Sequence, residues 1–319
     1  MRWLCPGLFA FSLLACGGLR TGSSGSGGGS GGGAVDHGCM RSRTDEVHVP
    51  VPASPDAFAG IRAMAFTPEG VLVVLNQPDG ESTSWITVLG PAPSHPVLTT
   101  FGRGDLRFAT DLVLDGAGLL YVLEAQTQTD DCRVSAYTMV GSLQRRWTVP
   151  SSARLFGLGI TAKGELVLTG EGMHRYTPDG GFVASFGASA EFPRQAVNDG
   201  RGKLWVPDMG SNAVRVYDGT TFSQLALLGG KGTGQGRFDG DNADPVVVWG
   251  PSRLALDAKG DLYANDPYVS RIQKLGPTGG FLGEFGFGGS REVGAIAIEP
   301  KSGHVYVSRS SAIDVLCPL

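Results

Sequence analysis

The chain has 319 residues, of which 41% are hydrophobic and 18% charged, and its mean hydropathy of +0.02 is typical of a globular protein. Lysine and arginine number 26 against 30 aspartates and glutamates, so the net charge is −4. Without a basic cluster, this balance argues against nucleic acid or an anionic membrane surface as a partner, because nothing would neutralise the phosphates.

The first predicted element is a signal sequence. Met1-Arg2 supplies positive charge, and residues 3–14 form an apolar stretch too short to span a bilayer as a mature helix. The stretch ends in Leu13-Leu14-Ala15-Cys16, which resembles the lipobox of bacterial lipoproteins, where the signal is cut before a cysteine that receives a diacylglycerol. We predict a signal peptide over residues 1–15 and lipidation of Cys16. An ordinary secretory signal, with Cys16 incidental, is the alternative.

A tether follows the signal sequence. Residues 17–33 read GGLRTGSSGSGGGSGGG, a composition that forms flexible coils. We therefore expect residues 16–38 to link the lipid to a folded body over residues 39–319. Gly17 stands where an aspartate would favour the inner membrane. The resemblance thus implies an anchor in the bacterial cell envelope, at the outer membrane.

The body consists of six repeated units, each a strand, a tight turn with a glycine, and a second strand. The turn glycines, 38 to 58 residues apart, are Gly70, Gly118, Gly164, Gly202, Gly260 and Gly303. Three residues after them come the β-formers Val73, Tyr121, Val167, Trp205, Tyr263 and Tyr306, which we expect to fill the space between units. Units of this size are typical of propeller blades, and no sustained helical period competes with this interpretation.

The fifth unit shows to which family the repeat is similar. Within residues 236–286 the sequence reads PSRLALDAKGDLYANDPYVSRIQKLGPTGGFLGEFG, which resembles an NHL repeat, and the other units are weaker versions of it. The resemblance implies an all-β fold, a six-bladed β-propeller, and is unspecific for activity.

The last blade requires a strand from elsewhere in the chain. The sixth unit stops after three strands, at residues 295–299, 304–308 and 312–316, and a propeller must cover its open edge. We predict that residues 46–51 pair antiparallel with residues 312–316 as the outer strand of this blade.

This closure assigns the cysteines separate roles. Cys39 precedes the closing strand and Cys317 follows the strand that it joins, so we predict a disulfide between them. An exported location permits this bond, which would contribute about 3–5 kcal/mol. Cys132 would then keep its thiol, and a Cys39–Cys132 bond is the alternative.

Polar residues mark the predicted mouth of the propeller. Six residues after the turn glycines stand Asn76, Glu124, Gly170, Asp208, Asp266 and Arg309. Asp111, Gln195 and Arg253, seven residues before a glycine, join them as candidates. Such a ring would bind a cation or a polar ligand. The alternative is that aspartates such as Asp208 and Asp266 cap backbone amides in their own loops.

The sequence contains no obvious catalytic constellation. None of the five histidines, His37, His48, His95, His174 and His304, falls in the polar column, and no pair has zinc-ligand spacing, so no metal site is predicted. Asn76, Glu124 and Asp208 offer the atoms that hold calcium in gluconolactonase-like propellers, but match no motif of that family. Asp239, Asp241 and Asp244 alternate in a loop that would suit Ca²⁺, with a solvated acidic loop as the alternative.

These features favour a surface-anchored, non-enzymatic binding or scaffold propeller. We expect a monomer whose ligand is a protein, peptide or glycan at the loop face. The alternative is an enzyme, a metal-assisted lyase or lactonase of the propeller type that uses axial carboxylates.

Overall fold

The computed structural model describes residues 48–49, 58–125, 132–149, 154–238, 250–287, 293–309 and 311–319. The predicted signal peptide and tether lie outside these ranges, as do Cys16, Cys39 and the aspartates of the 239–249 loop. Within the described ranges every regular element is a β-strand, and no helix has the length and apolar character needed to cross a membrane.

The described strands form six antiparallel sheets of consecutive strands, here numbered as blades one to six. Blades one to three contain β1 (Ile61–Phe66), β2 (Leu72–Asn76), β3 (Thr83–Leu89), β4 (Val97–Arg107), β5 (Ala109–Leu114), β6 (Leu120–Ala125), β7 (Cys132–Tyr137), β8 (Leu143–Val149), β9 (Leu155–Ile160), β10 (Leu166–Gly170), β11 (Gly172–Tyr176) and β12 (Phe182–Phe186). Blades four to six contain β13 (Val197–Asn198), β14 (Lys203–Asp208), β15 (Ala213–Asp218), β16 (Gln224–Gly229), β17 (Leu254–Leu256), β18 (Leu262–Asp266), β19 (Arg271–Leu275), β20 (Phe281–Gly286), β21 (Ile296–Ile298), β22 (Val305–Arg309) and β23 (Ala312–Leu316).

The first strands of the blades form the inner wall of a ring. Strands β1, β5, β9, β13, β17 and β21 contact one another in this order, and β21 contacts β1. The chain is therefore an all-β, six-bladed β-propeller, as predicted. This order places blade two opposite blade five across the axis.

The turn glycines explain why the repeat is visible in the sequence. All six have φ between 74° and 95°, the left-handed region that glycine adopts without strain. Each therefore sits where the chain reverses between the first and second strands of its blade.

Six apolar clusters lie between neighbouring blades, one at each interface. Each cluster contains one of the side chains found three residues after a turn glycine, namely Val73, Tyr121, Val167, Trp205, Tyr263 and Tyr306. The role predicted for this column is confirmed.

An N-terminal segment closes the last blade, as predicted. His48 pairs antiparallel with Asp314, and the Val49 amide donates to the Ile313 carbonyl oxygen over 2.9 Å. Val49 is buried against Ile313 and Val315 in the cluster between blades six and one. The other residues of the predicted strand lie outside the described ranges.

Two strands differ in length from the corresponding strands of the other blades. In blade four β13 has only two residues, because Ala196 and Asn198 replace the large apolar side chains that the other first strands carry there. In blade one the fourth strand β4 continues through Phe101-Gly102 to Arg107. Gly102 and Gly104, both at positive φ, allow the strand to bend as it continues.

Candidate functional site

The axial mouth is the end of the ring where first strands begin and second strands end. The polar column predicted there consists of buried side chains: Asn76, Glu124, Asp208 and Asp266 have no exposed surface. Gly170 supplies no side chain in blade three, and Arg309 is partly exposed in blade six. The column therefore lies at the mouth end of the second strands, as predicted, but its side chains are buried inside the blades.

Asp208 shows what the column contacts. Its carboxylate accepts hydrogen bonds from Arg215 Nε over 2.6 Å and from the Phe192 amide over 2.8 Å. Asp266 accepts from Arg271 Nε over 3.0 Å in the same arrangement one blade later. These aspartates bind an arginine of the third strand, and Asp208 also caps the segment that leads into its own blade.

Blades one and two use the column in the same way. Glu124 accepts from Arg133 Nη2 and Ser135 Oγ, both over 2.7 Å, and from the Arg107 amide over 2.9 Å. Asn76 accepts from the Ala59 amide over 3.1 Å. Each side chain thus joins the end of its second strand to the incoming chain.

Blade six reverses the order of charges. Arg309 is the basic partner on the second strand, and Asp314 on the third strand is the acid, 3.5 Å away. Asp314 also accepts a hydrogen bond from His48 Nδ1 over 2.7 Å, so the same carboxylate binds the closing segment.

These contacts give the column a structural role, but the amides that Asp208 caps belong to the segment before its blade and not, as the alternative in the sequence analysis expected, to its own loop. The oxygens of Asn76, Glu124, Asp208 and Asp266 already accept hydrogen bonds from protein groups, at zero exposure. Ligand binding by the column stays a prediction, and a ligand would have to displace buried ion pairs to reach it.

Two other candidates meet on the axis. Arg253, at the start of blade five, places Nη1 2.9 Å from Asp111 Oδ2 in blade two and donates from Nη2 to the Thr110 carbonyl oxygen over 2.9 Å. Because these blades face each other, the Arg253 side chain crosses the ring and closes its centre. Asp111 is completely buried, and this burial raises its pKa despite the opposing charge of Arg253.

Hydrogen bonds at the same level of the ring also join neighbouring blades. Asp111 Oδ2 also accepts the Leu158 amide of blade three over 2.9 Å, and Gln195 Oε1 accepts the Leu254 amide of blade five over 3.0 Å. Gln195 therefore binds across the interface between blades four and five. Asp111 binds across the interface between blades two and three and also pairs with Arg253 at the axis.

A second guanidinium group, Arg194, lies beside this ion pair. It stacks on the Phe156 ring at 4.3 Å, and its Nε contacts Met209 Sδ at 2.8 Å. Desolvation, together with the nearby charge of Arg253, lowers the pKa of Arg194 to about 10. No carboxylate among the described residues lies within 4 Å of this cation.

A buried hydroxyl completes the mouth. Thr110 Oγ1 is shielded from solvent and has no hydrogen-bond partner among the described residues. The carbonyl oxygen of the same residue is the acceptor of Arg253 Nη2. A hydroxyl buried without a partner is unfavourable by about 1–3 kcal/mol.

The four histidines that the structure describes lie outside the axial mouth. His95 and His304 occupy a loop and a turn, His174 lies on β11, and His48 is in the closing segment. Within the described ranges no group of three histidine, cysteine or acidic side chains could hold a metal ion. Cys132 is a buried thiol, and the predicted Cys39–Cys317 bond involves a residue outside those ranges.

The comparisons with known proteins identify the fold. No family model matches the sequence, and no curated protein does. A streptogramin B lyase structure superposes with a TM-score of 0.57 at 11% identity, covering 84% of this chain and 95% of that one.

Two further structures have the same architecture. A catalytically inactive virginiamycin B lyase from Staphylococcus aureus with quinupristin gives a TM-score of 0.56 at 13% identity, covering 83% of this chain and 86% of that one. A protein of unknown function from Bacteroides caccae gives 0.54 at 9% identity, covering 70% and 81%. At these identities the similarity establishes the propeller fold alone.

Sequence reasoning missed Arg194, Thr110 and Phe156. All three stand eight residues before a turn glycine, one position from the column that contains Asp111 and Arg253. Their residue types differ from unit to unit, so the repeat itself does not single them out. The signal in the sequence that could have identified them is their shared position, eight residues before a turn glycine.

Proposed function

We propose that the protein is a non-enzymatic binding propeller, lipid-anchored in the bacterial cell envelope, whose ligand presents an anionic group to the axial mouth. The expected partners remain a protein, a peptide or a glycan. The observation that carries the proposal is the pair of guanidinium groups at the mouth, Arg194 and Arg253, of which only Arg253 pairs with a carboxylate, Asp111, among the described residues.

The charges at the mouth favour an anion. Arg253 and Asp111 compensate each other when both are ionised, and Arg194 then leaves one positive charge among the groups that the structure describes there. Protonation of Asp111 would leave two. In either state the wall around these groups is protein, where charge attraction is stronger than in water.

The alternative is a metal-assisted lyase or lactonase that uses axial carboxylates. The similarity in fold to lyases favours this alternative. It would require Glu124 or Asp208 to exchange an arginine and a backbone amide for a metal ion. Binding at the mouth requires no such rearrangement.

Metal analysis of the full-length chain, purified in detergent, separates the two functions. We expect no stoichiometric Ca²⁺ or Zn²⁺, and an unchanged melting temperature after EDTA. Hits on peptide and glycan arrays should persist in EDTA and weaken in Arg194→Gln. Stoichiometric metal whose removal destabilises the chain would contradict the binding proposal and support the enzyme.

The anchor is tested separately from the ligand. Cys16→Ala should release the protein from the membrane fraction, because the thiol that would carry the lipid is gone. A variant that stays with the membranes would contradict the lipoprotein prediction.

A further inference from the structure

We infer that the lower outer edge of blades five, six and one contacts the lipid surface that holds the proposed anchor on Cys16. The lower end of the ring is the end opposite the axial mouth, where the fourth strand of each blade begins. This inference rests on the lipid anchor of the proposed function, and it adds the surface of the propeller that the bilayer meets.

Two exposed apolar side chains lie at the lower end of blade one. Val97 is the first residue of β4 and pairs with Leu89, the last residue of β3. Leu98 is the extra residue of a register shift, since Thr99 already pairs with Val88, so it has no residue opposite it. Val97 is 43% exposed and Leu98 58%. Blade one therefore presents apolar surface to solvent next to blade six.

Blade five does the same on the other side of blade six. Leu282 is the extra residue of the equivalent register shift in β20, between Phe281 and Gly283, and is 55% exposed. Leu319 lies beside this strand, because its Cβ atom is 3.6 Å from the position that a Cβ atom at Gly283 would take. The Leu319 amide donates to the Tyr263 hydroxyl over 3.2 Å, which fixes this residue, 40% exposed, at the lower end.

The chain that would carry the lipid joins the fold between these two groups. His48, in the closing segment on blade six, is the end of the described segment that lies farther from the mouth. A flexible chain as long as residues 17–47 spans roughly 30 Å. The predicted bond of Cys39 to Cys317, which follows β23, would hold the tether at the same edge. Tethering over such a distance gives an effective concentration in about the millimolar range, so a weak contact suffices.

The chemistry of this edge suits the apolar part of a bilayer rather than charged head groups. Its exposed side chains are aliphatic, and the net charge of −4 provides no attraction to anionic lipids. Exposed leucines such as Leu143 and Leu225 also occur on blades two to four, but the tether does not hold those blades against the membrane. A tilted ring contacts a flat surface at one edge only, so the charged lower turns of the remaining blades stay in water.

Hydroxyl-radical footprinting of the full-length chain tests the inference. The lipidated protein in phosphatidylcholine vesicles is compared with Cys16→Ala in the same buffer. We expect the oxidation rates of Leu98, Leu282 and Leu319 to fall about twofold or more on anchoring, because half-exposed side chains lose their contact with water. Leu225, 54% exposed at the same register shift in blade four, should be oxidised at an unchanged rate. Adding phosphatidylglycerol to the vesicles should change none of these rates.

Paired substitutions assign the protection to the edge. Leu98→Ser with Leu282→Ser should raise the oxidation rate of Leu319 to that of the unanchored protein, because the apolar contact is lost. The matched control is Val183→Ser with Leu225→Ser, at the same register shifts in blades three and four, which should leave Leu319 protected. Equal melting temperatures of the variants and the unaltered protein verify that the fold is kept.

Equal oxidation of these leucines before and after anchoring would overturn the edge contact and leave the anchor standing. Protection of Leu225 instead of Leu98, or protection only with phosphatidylglycerol, would overturn it as well. Protection that appears without vesicles and rises with protein concentration would assign the edge to a second copy of the chain. If Cys16→Ala stays with the membranes, the anchor fails and the inference fails with it.

Discussion

The stability of the buried ion pairs in the blades is the balance of two opposing effects. Removing Asp208 and Arg215 from water is unfavourable, and only their mutual attraction and added hydrogen bonds offset it. Truncating one partner leaves the other charge buried and uncompensated. Arg215→Leu should therefore lower the free energy of unfolding by about 3–5 kcal/mol, measured by urea denaturation.

The matched control is Arg145→Leu, which removes an arginine from an exposed ion pair with Asp179. We expect a change below about 1 kcal/mol, because solvent screens that pair. Equal effects of the two substitutions would contradict a structural role for the column that contains Asp208.

A buried histidine couples stability to pH. His95 Nδ1 donates to the Gly90 carbonyl oxygen and Nε2 forms a hydrogen bond with the Tyr306 hydroxyl, each over 2.9 Å. Burial lowers the pKa of His95, so the folded state binds fewer protons than the unfolded chain. The stability from this group is complete above about pH 6.5 and is lost as the pH falls below it.

Unfolding free energies at about pH 7.5 and about pH 5.5 check this dependence. His304 shifts in the same direction, so wild type and His95→Gln are compared rather than wild type alone. We expect the loss on acidification to be smaller in His95→Gln. An equal loss would assign the effect to other groups.

At the scale of the strand, β9 depends on glycine for its contact with blade four. A Cβ atom at Gly157 would overlap the carbonyl oxygen of Arg194, which lies against the strand. Gly157→Ala should destabilise the protein by about 3 kcal/mol or more, because the backbone of blade four would have to move.

Gly116→Ala is the control, since no atom lies within 4 Å of the added methyl group. Its effect should be less than about 1 kcal/mol. Both variants are measured by thermal unfolding. A tolerated alanine at residue 157 would show that blades three and four pack less closely than described.

The strands also show which features can be predicted from sequence. The turn glycines and the residues three positions later serve the same purpose in every blade, so six copies reveal them. Asp111 and Arg253 were visible as candidates, but their contact joins residues 142 positions apart, across opposite blades. Arg194 was missed because its character comes from Phe156 and Met209 in space, and no repeated residue type marks its position.

Ring closure determines the stability of the whole molecule. Val49 is buried between blades six and one, and its amide pairs with Ile313. Val49→Asp would place an unpaired carboxylate there and should lower the free energy of unfolding by about 3 kcal/mol or more. Val97→Asp, on the exposed outer strand β4, should change it little and serves as the control.

The predicted disulfide would reinforce the same closure. Non-reducing mass spectrometry of the full chain should recover a peptide that links Cys39 to Cys317, and reduction should lower the melting temperature. A link from Cys39 to Cys132 would contradict the prediction. The burial of Cys132 in the cluster between blades two and three does not favour that link.

The direction of the closing segment has a consequence for the lipid anchor that we propose. First strands run away from the axial mouth, so the third strand β23 also runs away from it. His48 and Val49, antiparallel to β23, run toward the mouth, so His48 is the end of this segment that lies farther from it. We therefore propose that a lipid on Cys16 would draw this segment away from the mouth, which would leave the mouth open to ligands that arrive through the aqueous phase.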